Sequence, residues 1–384
     1  MPITRSAPAT GSAVRRPEAP PRLRVGVIGT GLIAQVMHLH YLRELSHLFE
    51  VAVVCDVSRP TATAAGERYG VTKVVTDRRE LLAEPLDAVL VLTGGSHAAM
   101  AIEAARAGLH VLVEKPMCFS TVEGRAMVDS ARDAGVTLMV AYNKRYDPAF
   151  ARFRDEALQL ADRRFLRVTT LESPIAPYVQ HYPLAAIPRP ASPPAALDPA
   201  TDAAIQVAIG DADELTRWVY HAVLLDTLVH ELNTVRGVFG EPDRVDYADL
   251  RADSVSVMLR FGSLPVAIHW IDLPGIARYR MEFALYAPRR RVTLAFPSPF
   301  LRDAPTLLEI EDGAPDSPAG RVSQEVTSFE SSFKRELIAF HQHATAGTIP
   351  PTSGDDGLRD IALCQAIVAS HRSGRPVEGP TQIR

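Results

Sequence analysis

The chain has little cysteine, little lysine and no long apolar run. Its three cysteines, Cys55, Cys118 and Cys364, are scattered over 384 residues. An odd, dispersed set excludes a disulfide framework and favours reduced thiols in a cytoplasmic protein. No apolar run reaches membrane-spanning length, and a net charge of −4 gives no basis for nucleic-acid binding, so we expect neither partner. The Cys spacings of a zinc site are absent, and we predict no metal.

The N-terminal residues 1–21 place Arg15-Arg16 among Pro, Ala and Ser, with no hydrophobic stretch before the first strand. We predict a disordered tail and neither a secretory nor a twin-arginine signal. In the whole chain, hydrophobic residues make up 47% and charged residues 22%, as in soluble globular proteins. The length suits two domains.

Residues 22–147 alternate short β-branched runs with helical segments, which predicts an N-terminal Rossmann domain with a doubly wound parallel sheet. The expected strands are 24–28, 51–55, 73–75, 88–92, 111–113 and 137–141, and the expected first helix is 32–48. Residues 148–384 read differently. A helix and strand 165–171 precede an aperiodic Pro- and Ala-rich stretch, 173–211, and a single apolar helix, 214–239.

Consecutive strands then follow without helices, at 244–250, 254–261, 265–272 and 278–286, with a further pair near 292–296 and 307–311. Helices 329–346 and 355–373 end the chain. This order predicts an α+β domain with a large, mostly antiparallel open sheet. The sheet face with Val255, Val257 and Leu259 should pack against helices, and the other face is free for a second subunit in a homodimer or homotetramer.

A glycine turn follows the first strand directly. Gly29 allows a tight turn, Gly31 lets backbone amides approach a pyrophosphate at a helix N-terminus, and Ala34 permits close packing. Asp56, at the end of the second strand, would accept hydrogen bonds from the adenosine ribose, which favours NAD. NADP stays possible, because Arg59 could hold a 2′-phosphate; alternatively, Arg59 is a solvated loop cation.

Lysine is rare: of 41 Lys and Arg residues only Lys73, Lys115, Lys144 and Lys334 are lysine. Lys115 follows an apolar strand within Glu114-Lys115-Pro116, which suggests a need for a compact, proton-exchanging ammonium. Apolar surroundings that lower its pKa would let it share a proton or stabilise an alkoxide.

Asp226, His230 and Asn233 are spaced i, i+4 and i+7 and would form one stripe on a helix. Hydride transfer from an alcohol requires a base for the hydroxyl proton. A histidine of near-neutral pKa, oriented by a carboxylate one turn away, suits that task. The alternative is that this stripe is the solvated face of an amphipathic helix.

Together these motifs resemble the Gfo/Idh/MocA oxidoreductases, over about residues 23–378. The resemblance rests on the glycine turn, Asp56, His97 before a helix, Glu114-Lys115-Pro116, Asn143-x-Arg145-x-x-Pro148, Asp226-x-x-x-His230 and Ser353-x-x-Asp356-Gly357. Leu228 and Asn233 depart from the family pattern, which bears on substrate identity more than on chemistry.

The resemblance implies an NAD(P)-dependent oxidoreductase that interconverts a secondary alcohol and a ketone on a sugar, cyclitol or sugar derivative. Lys115, Asp226 and His230 would surround the reacting carbon. The candidate cofactor residues are Gly29, Thr30, Gly31, Leu32, Ile33, Asp56, Arg59, Thr93, Gly94, His97, Glu114, Lys115, Asn143 and Arg145. The candidate substrate residues are Lys115, Tyr178, His181, Asp226 and His230.

Several alternatives stay open. His97 could equally be a helix N-terminal histidine with no cofactor role, Tyr178 and His181 could simply hold a long loop, and Glu114 could be a structural carboxylate. The chain could also be a non-catalytic NAD(P)-binding sensor or regulator of the same fold. A redox-neutral glycoside-processing enzyme with tightly bound NAD is the third function.

Overall fold

The computed structural model describes residues 21–184, 197–314 and 319–380, so the predicted tail lies outside the described residues except for residue 21. The first sheet is parallel throughout, in the order β3-β2-β1-β4-β5-β6. Its strands are β1 (Leu23–Ile28), β2 (Phe49–Cys55), β3 (Lys73–Val75), β4 (Ala88–Val91), β5 (His110–Val113) and β6 (Leu138–Val140). This is the strand order of dinucleotide-binding folds, and it reverses between β1 and β4.

The helices of this unit are α1 (Leu39–Glu44), α2 (Arg59–Tyr69), α3 (Arg78–Leu82), α4 (Ala98–Arg106) and α5 (Thr121–Ala134). A π-helical turn, Ala34–His38, precedes α1. The first helix ends at Glu44 and not at residue 48, because Leu45 leaves helical geometry and Leu48 already bonds the start of β1 through its carbonyl. The sequence interpretation missed α3, which at five residues is too short to show a helical period.

The second sheet has nine strands in the order β14-β13-β12-β11-β7-β10-β9-β8-β15. All pairs are antiparallel except β7 with β10. The strands are β7 (Phe165–Glu172), β8 (Arg244–Leu250), β9 (Ser254–Phe261), β10 (Leu264–Asp272), β11 (Arg280–Tyr286), β12 (Arg290–Phe296), β13 (Leu307–Gly313), β14 (Gly320–Val326) and β15 (Val377–Glu378). The mostly antiparallel sheet is confirmed; β14 and β15 were not anticipated.

The remaining helices are α6 (Pro148–Gln159), α7 (Ala176–Val179), α8 (Pro199–Ile209), α9 (Glu214–Val219), α10 (Val229–Phe239), α11 (Ser332–Ala346) and α12 (Gly354–Ser373). Two predictions need correction. The stretch 173–211 contains α7 and α8, each with a proline in its first turn. The helix expected at 214–239 is interrupted by a π-helical segment, Tyr220–Leu228, so its periodicity is not uniform.

As expected, one face of the second sheet is covered. Val255, Val257 and Leu259 are buried in the same hydrophobic cluster as Leu232 of α10 and Ile361 of α12. α11 packs instead against α1 and the turn before it, so it covers part of the first unit. Among the described residues, no helix is both long and apolar enough to cross a membrane.

Candidate active site

The carboxyl ends of β1 and β4 form the cofactor edge of the first sheet. Gly29 has φ +91°, and a Cβ there would lie 2.8 Å from the backbone of Leu92 and Thr93, so only glycine fits this turn. A Cβ on Gly31 would meet no protein atom within 4 Å. The space beside Gly31 therefore suits close approach of a pyrophosphate.

Asp56 is hydrogen-bonded to the glycine turn. One carboxylate oxygen accepts hydrogen bonds from the Thr30 amide (2.8 Å) and hydroxyl (3.1 Å), and the other accepts from the Ser58 amide (2.9 Å). The side chain stays partly exposed, whereas Arg59 is exposed at the start of α2. At the end of β4, the Thr93 hydroxyl is buried without a hydrogen-bond partner, and Gly94 is exposed. Leu32 and Ile33 are partly exposed after the turn. These residues fit a dinucleotide.

Two histidines hold the segment that carries Lys115. The His97 ring is buried, with Nδ1 2.7 Å from the Pro116 carbonyl oxygen and Nε2 2.9 Å from that of Thr93. His38 lies 2.7 Å from Glu114, whose other oxygen accepts from the Lys115 amide. Burial opposes the Glu114 charge, but the interactions with His38 and Lys115 together outweigh burial and lower the pKa of Glu114. Glu114 is thereby an ionised carboxylate fixed by protein contacts.

Lys115 pairs with Asp226. Its Nζ lies 2.7 Å from the Asp226 carboxylate and also donates to the Asp226 carbonyl oxygen at 2.5 Å. Burial disfavours the ammonium, but the charges of Asp226, Glu114 and Glu172 and the hydrogen bond to Asp226 together outweigh burial and raise the pKa of Lys115. The expectation of a lowered pKa is therefore wrong: Lys115 is a fixed cation at neutral pH.

His230 is not oriented by Asp226. Its Nδ1 is buried without a partner, and its ring packs edge-on against Tyr142 at 6.2 Å. Burial, Lys144 and Lys115 together lower the pKa of His230 well below its ordinary value, so the imidazole is neutral. Asp226 lies in the π-helical segment and His230 in α10, so the uniform helical period from which the stripe was predicted does not run through both residues.

Asn233 belongs to a different cluster. Its amide donates to Asp356 and Asp360 at 2.7 Å each, and its side-chain oxygen accepts from Arg145 at 3.2 Å. Arg145 thus faces the helices of the second unit. Asn143 donates to Ser332 at the start of α11 (2.8 Å).

The two substrate candidates on the long connection separate. The Tyr178 hydroxyl accepts from the Tyr279 amide (2.6 Å) and lies near Ser173, which follows the end of β7. The exposed His181 ring packs at a tilt against the Tyr182 ring, with 4.2 Å between the centroids, and the Tyr182 hydroxyl donates to the Phe300 carbonyl oxygen. The Tyr178 hydroxyl therefore lies beside the end of β7, whereas His181 lies on an exposed part of the connection after β7.

The sequence interpretation did not single out four ionisable residues that act on Lys115 or on one another: Lys144, Glu172, Glu231 and Tyr279. Glu172 ends β7, and burial raises its pKa; Asp226 and Lys115 also act on its charge. Glu231 and Glu172 in turn act on Tyr279. The rarity of lysine was the one signal that could have singled out Lys144, and nothing in the local sequence distinguished Glu172, Glu231 or Tyr279.

The arrangement holds a fixed cation, a neutral imidazole and several carboxyl groups. The cation can stabilise an oxyanion, and the imidazole can accept a proton. Within the described part of the chain, no group of three or more His, Cys, Asp or Glu side chains is placed to hold a metal ion.

The parallel sheet, its glycine turn and Asp56 define a nicotinamide-dinucleotide-binding protein of the Rossmann type. Two family models agree. One, described as an oxidoreductase family with an NAD-binding Rossmann fold, matches residues 23–142. The other, the C-terminal alpha/beta domain of that oxidoreductase family, matches residues 305–378. The chain belongs to the Gfo/Idh/MocA family of NAD(P)-dependent oxidoreductases.

Relatives span nearly the whole chain. A myo-inositol 2-dehydrogenase of Thermotoga maritima is 24% identical over 372 residues, which cover 93% of this chain and 98% of the relative. A D-apiose dehydrogenase of Paraburkholderia graminis is 26% identical over 374 residues, covering 93% and 90%. A levoglucosan dehydrogenase solved with NADH has a TM-score of 0.74 at 19% identity, covering 94% of this chain and all of the other. At that identity the structural likeness shows the fold alone.

Proposed function

We propose that the protein interconverts a secondary alcohol and a ketone on a sugar, cyclitol or sugar derivative, with the reacting carbon held among Lys115, Asp226 and His230. The observation that carries the proposal is the double contact of Lys115 with Asp226, at 2.7 and 2.5 Å. This contact fixes a cation beside a neutral histidine, directly after a strand of the NAD-binding sheet.

The residues at the carboxyl edge of the first sheet would hold the dinucleotide. Gly29, Thr30 and Gly31 would face the pyrophosphate, and Asp56 the adenosine ribose, which favours NAD over NADP. Thr93 and Gly94, at the end of β4, would line its course toward Lys115. When bound, the oxidised nicotinamide supplies the hydride acceptor.

The chain's own residues divide the remaining work. Lys115 would stabilise negative charge on the reacting oxygen, because it stays an ammonium. His230 would accept the hydroxyl proton, because burial keeps its imidazole neutral. Asp226 would hold the Lys115 ammonium in place and contribute an acceptor for a neighbouring hydroxyl.

The substrate class is supported by the names of the relatives, which act on an inositol and on apiose. Tyr178, beside the end of β7, would meet a substrate hydroxyl, and the exposed His181 would be a further polar contact. A panel of sugars, cyclitols and anhydrosugars followed by nicotinamide absorbance tests the proposal. We expect oxidation of at least one neutral polyol by the wild type and a rate about 10²–10³-fold lower by Lys115→Met. Equal activity in both proteins would contradict it.

A further inference from the structure

Lys144 occupies the turn after β6, within the site and almost out of solvent. It lies in the 3-10 turn Asn143–Tyr146 and is only 5% exposed. Its Nζ lies 5.9 Å from the ring centroid of Phe296. The turn packs against α10, which carries His230, and the preceding residue, Tyr142, contacts the His230 ring. Lys144 thus lies in a turn that packs against the helix carrying His230.

Glu231, the residue after His230, is fully buried. One of its carboxylate oxygens accepts a hydrogen bond from the Thr170 hydroxyl, and the other has no partner. A buried carboxylate with an unused acceptor is unfavourable unless a cation lies near. Lys144 supplies the opposite charge that acts on Glu231.

Charged and titratable groups face Lys144 from every neighbouring element. They are Glu231 and His230 of α10, Glu114 and Lys115 after β5, Glu172 of β7, Glu336 of α11, and Asp147 at the end of its own turn. Burial raises the pKa of Glu336 well above its ordinary value, so Glu336 is uncharged, whereas Glu114 and Lys115 are ionised. The charges of Lys144 and Glu231 are the variable ones near neutral pH, because burial lowers the pKa of Lys144 to about 8 and raises the pKa of Glu231 to about 7.

Building on the proposed dehydrogenase function, we propose that Lys144, buried beside the helix that carries His230 and Glu231, is a positioning residue that decides whether His230 can take the proton of the reacting hydroxyl. In that step the hydroxyl O–H bond breaks, an N–H bond forms on the imidazole, and the hydride leaves the carbon for the oxidised cofactor. A charged Lys144 opposes a second cation on His230. Once Lys144 has lost its proton, the imidazole accepts the hydroxyl proton more readily.

The pH dependence of alcohol oxidation follows from this arrangement. Burial lowers the pKa of Lys144 to about 8, although Glu231 opposes the shift. The pKa of His230 lies well below its ordinary value, so His230 does not titrate there. Oxidation should rise as the pH passes through about 8, and at pH 7 the wild type should run at about a tenth of its plateau rate.

Two variants of opposite charge test the inference through the pH–rate profile. Lys144→Arg keeps a permanent cation, so its oxidation rate should stay low and show no rise through pH 8. Lys144→Met mimics the uncharged state, so it should lack the same rise and oxidise about tenfold faster than the wild type at pH 7. A rise near pH 8 that persists in both variants would overturn the inference while leaving the dehydrogenase function intact.

A titration without substrate separates the two proposals. Because the chain has four lysines, lysine labelled with 13C gives few side-chain resonances, and Lys144→Arg identifies the one from Lys144. We expect it to titrate near pH 8 and to shift to lower pH in Glu231→Gln, which removes a carboxylate that favours the ammonium. A midpoint near the ordinary lysine value of about 10.4 would refute the inference even if no substrate is found.

Discussion

Lys115 is charged and His230 is neutral, although the two side chains act on each other electrostatically. Lys115 is held as a cation by Asp226, whereas burial and two neighbouring lysines keep His230 neutral. In the proposed mechanism, the neutral imidazole would accept the proton and the fixed ammonium would stabilise negative charge. This division predicts that each residue is needed for turnover and that neither is needed for cofactor affinity.

We expect Lys115→Ala and His230→Ala each to lower turnover by about 10²–10³-fold. NAD affinity should stay within a few-fold, since neither side chain lies at the glycine turn. Lys115→Arg should not restore activity, because a planar guanidinium does not fit the place of an ammonium bonded to both the carboxylate and the carbonyl of Asp226. Steady-state kinetics checks the loss of turnover, and calorimetric titration checks the NAD affinity. Turnover above about a tenth of wild type in either alanine variant would disprove the assignment.

Asp56 is expected to make NAD(H) bind more tightly than NADP(H), since an anion stands where a 2′-phosphate would lie. Asp56→Ala should reduce the difference between the NAD(H) and NADP(H) affinities. The substitution also removes the carboxylate that accepts hydrogen bonds from the Thr30 and Ser58 amides. Asp56→Asn is the matched control, because it keeps one acceptor oxygen and loses the charge. Calorimetry showing equal or tighter NADP(H) binding by the wild type would contradict the preference.

Glu336 should destabilise the fold increasingly as pH rises. It is fully buried, neither oxygen has a partner, and burial raises its pKa well above the ordinary value. The folded state keeps a proton that the unfolded chain releases above about pH 4.3, so stability falls between the two pKa values. The free energy of unfolding of Glu336→Gln, taken relative to the wild type, should therefore rise by up to about 1.4 kcal/mol per pH unit above about pH 5. Urea unfolding at several pH values checks this, and parallel stability curves would contradict it.

At the scale of elements, the turn between β1 and the first helix gives a matched pair of glycines. Gly29→Ala must adopt a left-handed φ and clash with the backbone of Leu92, so it should lose at least about 1–2 kcal/mol of stability. Gly31→Ala meets no protein atom, so its stability should change by less than about 0.5 kcal/mol while NAD affinity falls. Thermal unfolding and calorimetry distinguish the two, and equal destabilisation would refute the difference.

Regular elements were predictable where one period runs through the segment. β3, β8 and β9 have the bounds that alternation predicts, because each strand is flanked by turns and faces one core. The helices next to both candidate sites were less predictable. Ala34–His38 and Tyr220–Leu228 are π-helical, and a π-turn leaves no mark in hydrophobic periodicity. Such turns occur often at functional sites.

For the whole molecule, we predict self-association through the face of the second sheet that turns away from α10 and α12. Tyr247 is 54% exposed and pairs with Met258 on that face. Tyr247→Arg should weaken association, whereas Val122→Arg on α5, where Val122 is 75% exposed, should not. Light scattering at micromolar concentration checks both. A wild-type monomer would contradict the homodimer or homotetramer.

The sequence by itself determined the parallel unit, the later antiparallel sheet, the glycine turn and the place of Lys115 just after a strand of the parallel sheet, since each depends on short-range patterns. Only the tertiary structure decided the charge states. Lys115 is 111 residues from Asp226, and Lys144 acts on Glu231 from a turn in the other part of the chain. A pKa depends on burial and on charges brought near by folding, which spacing along a chain does not contain.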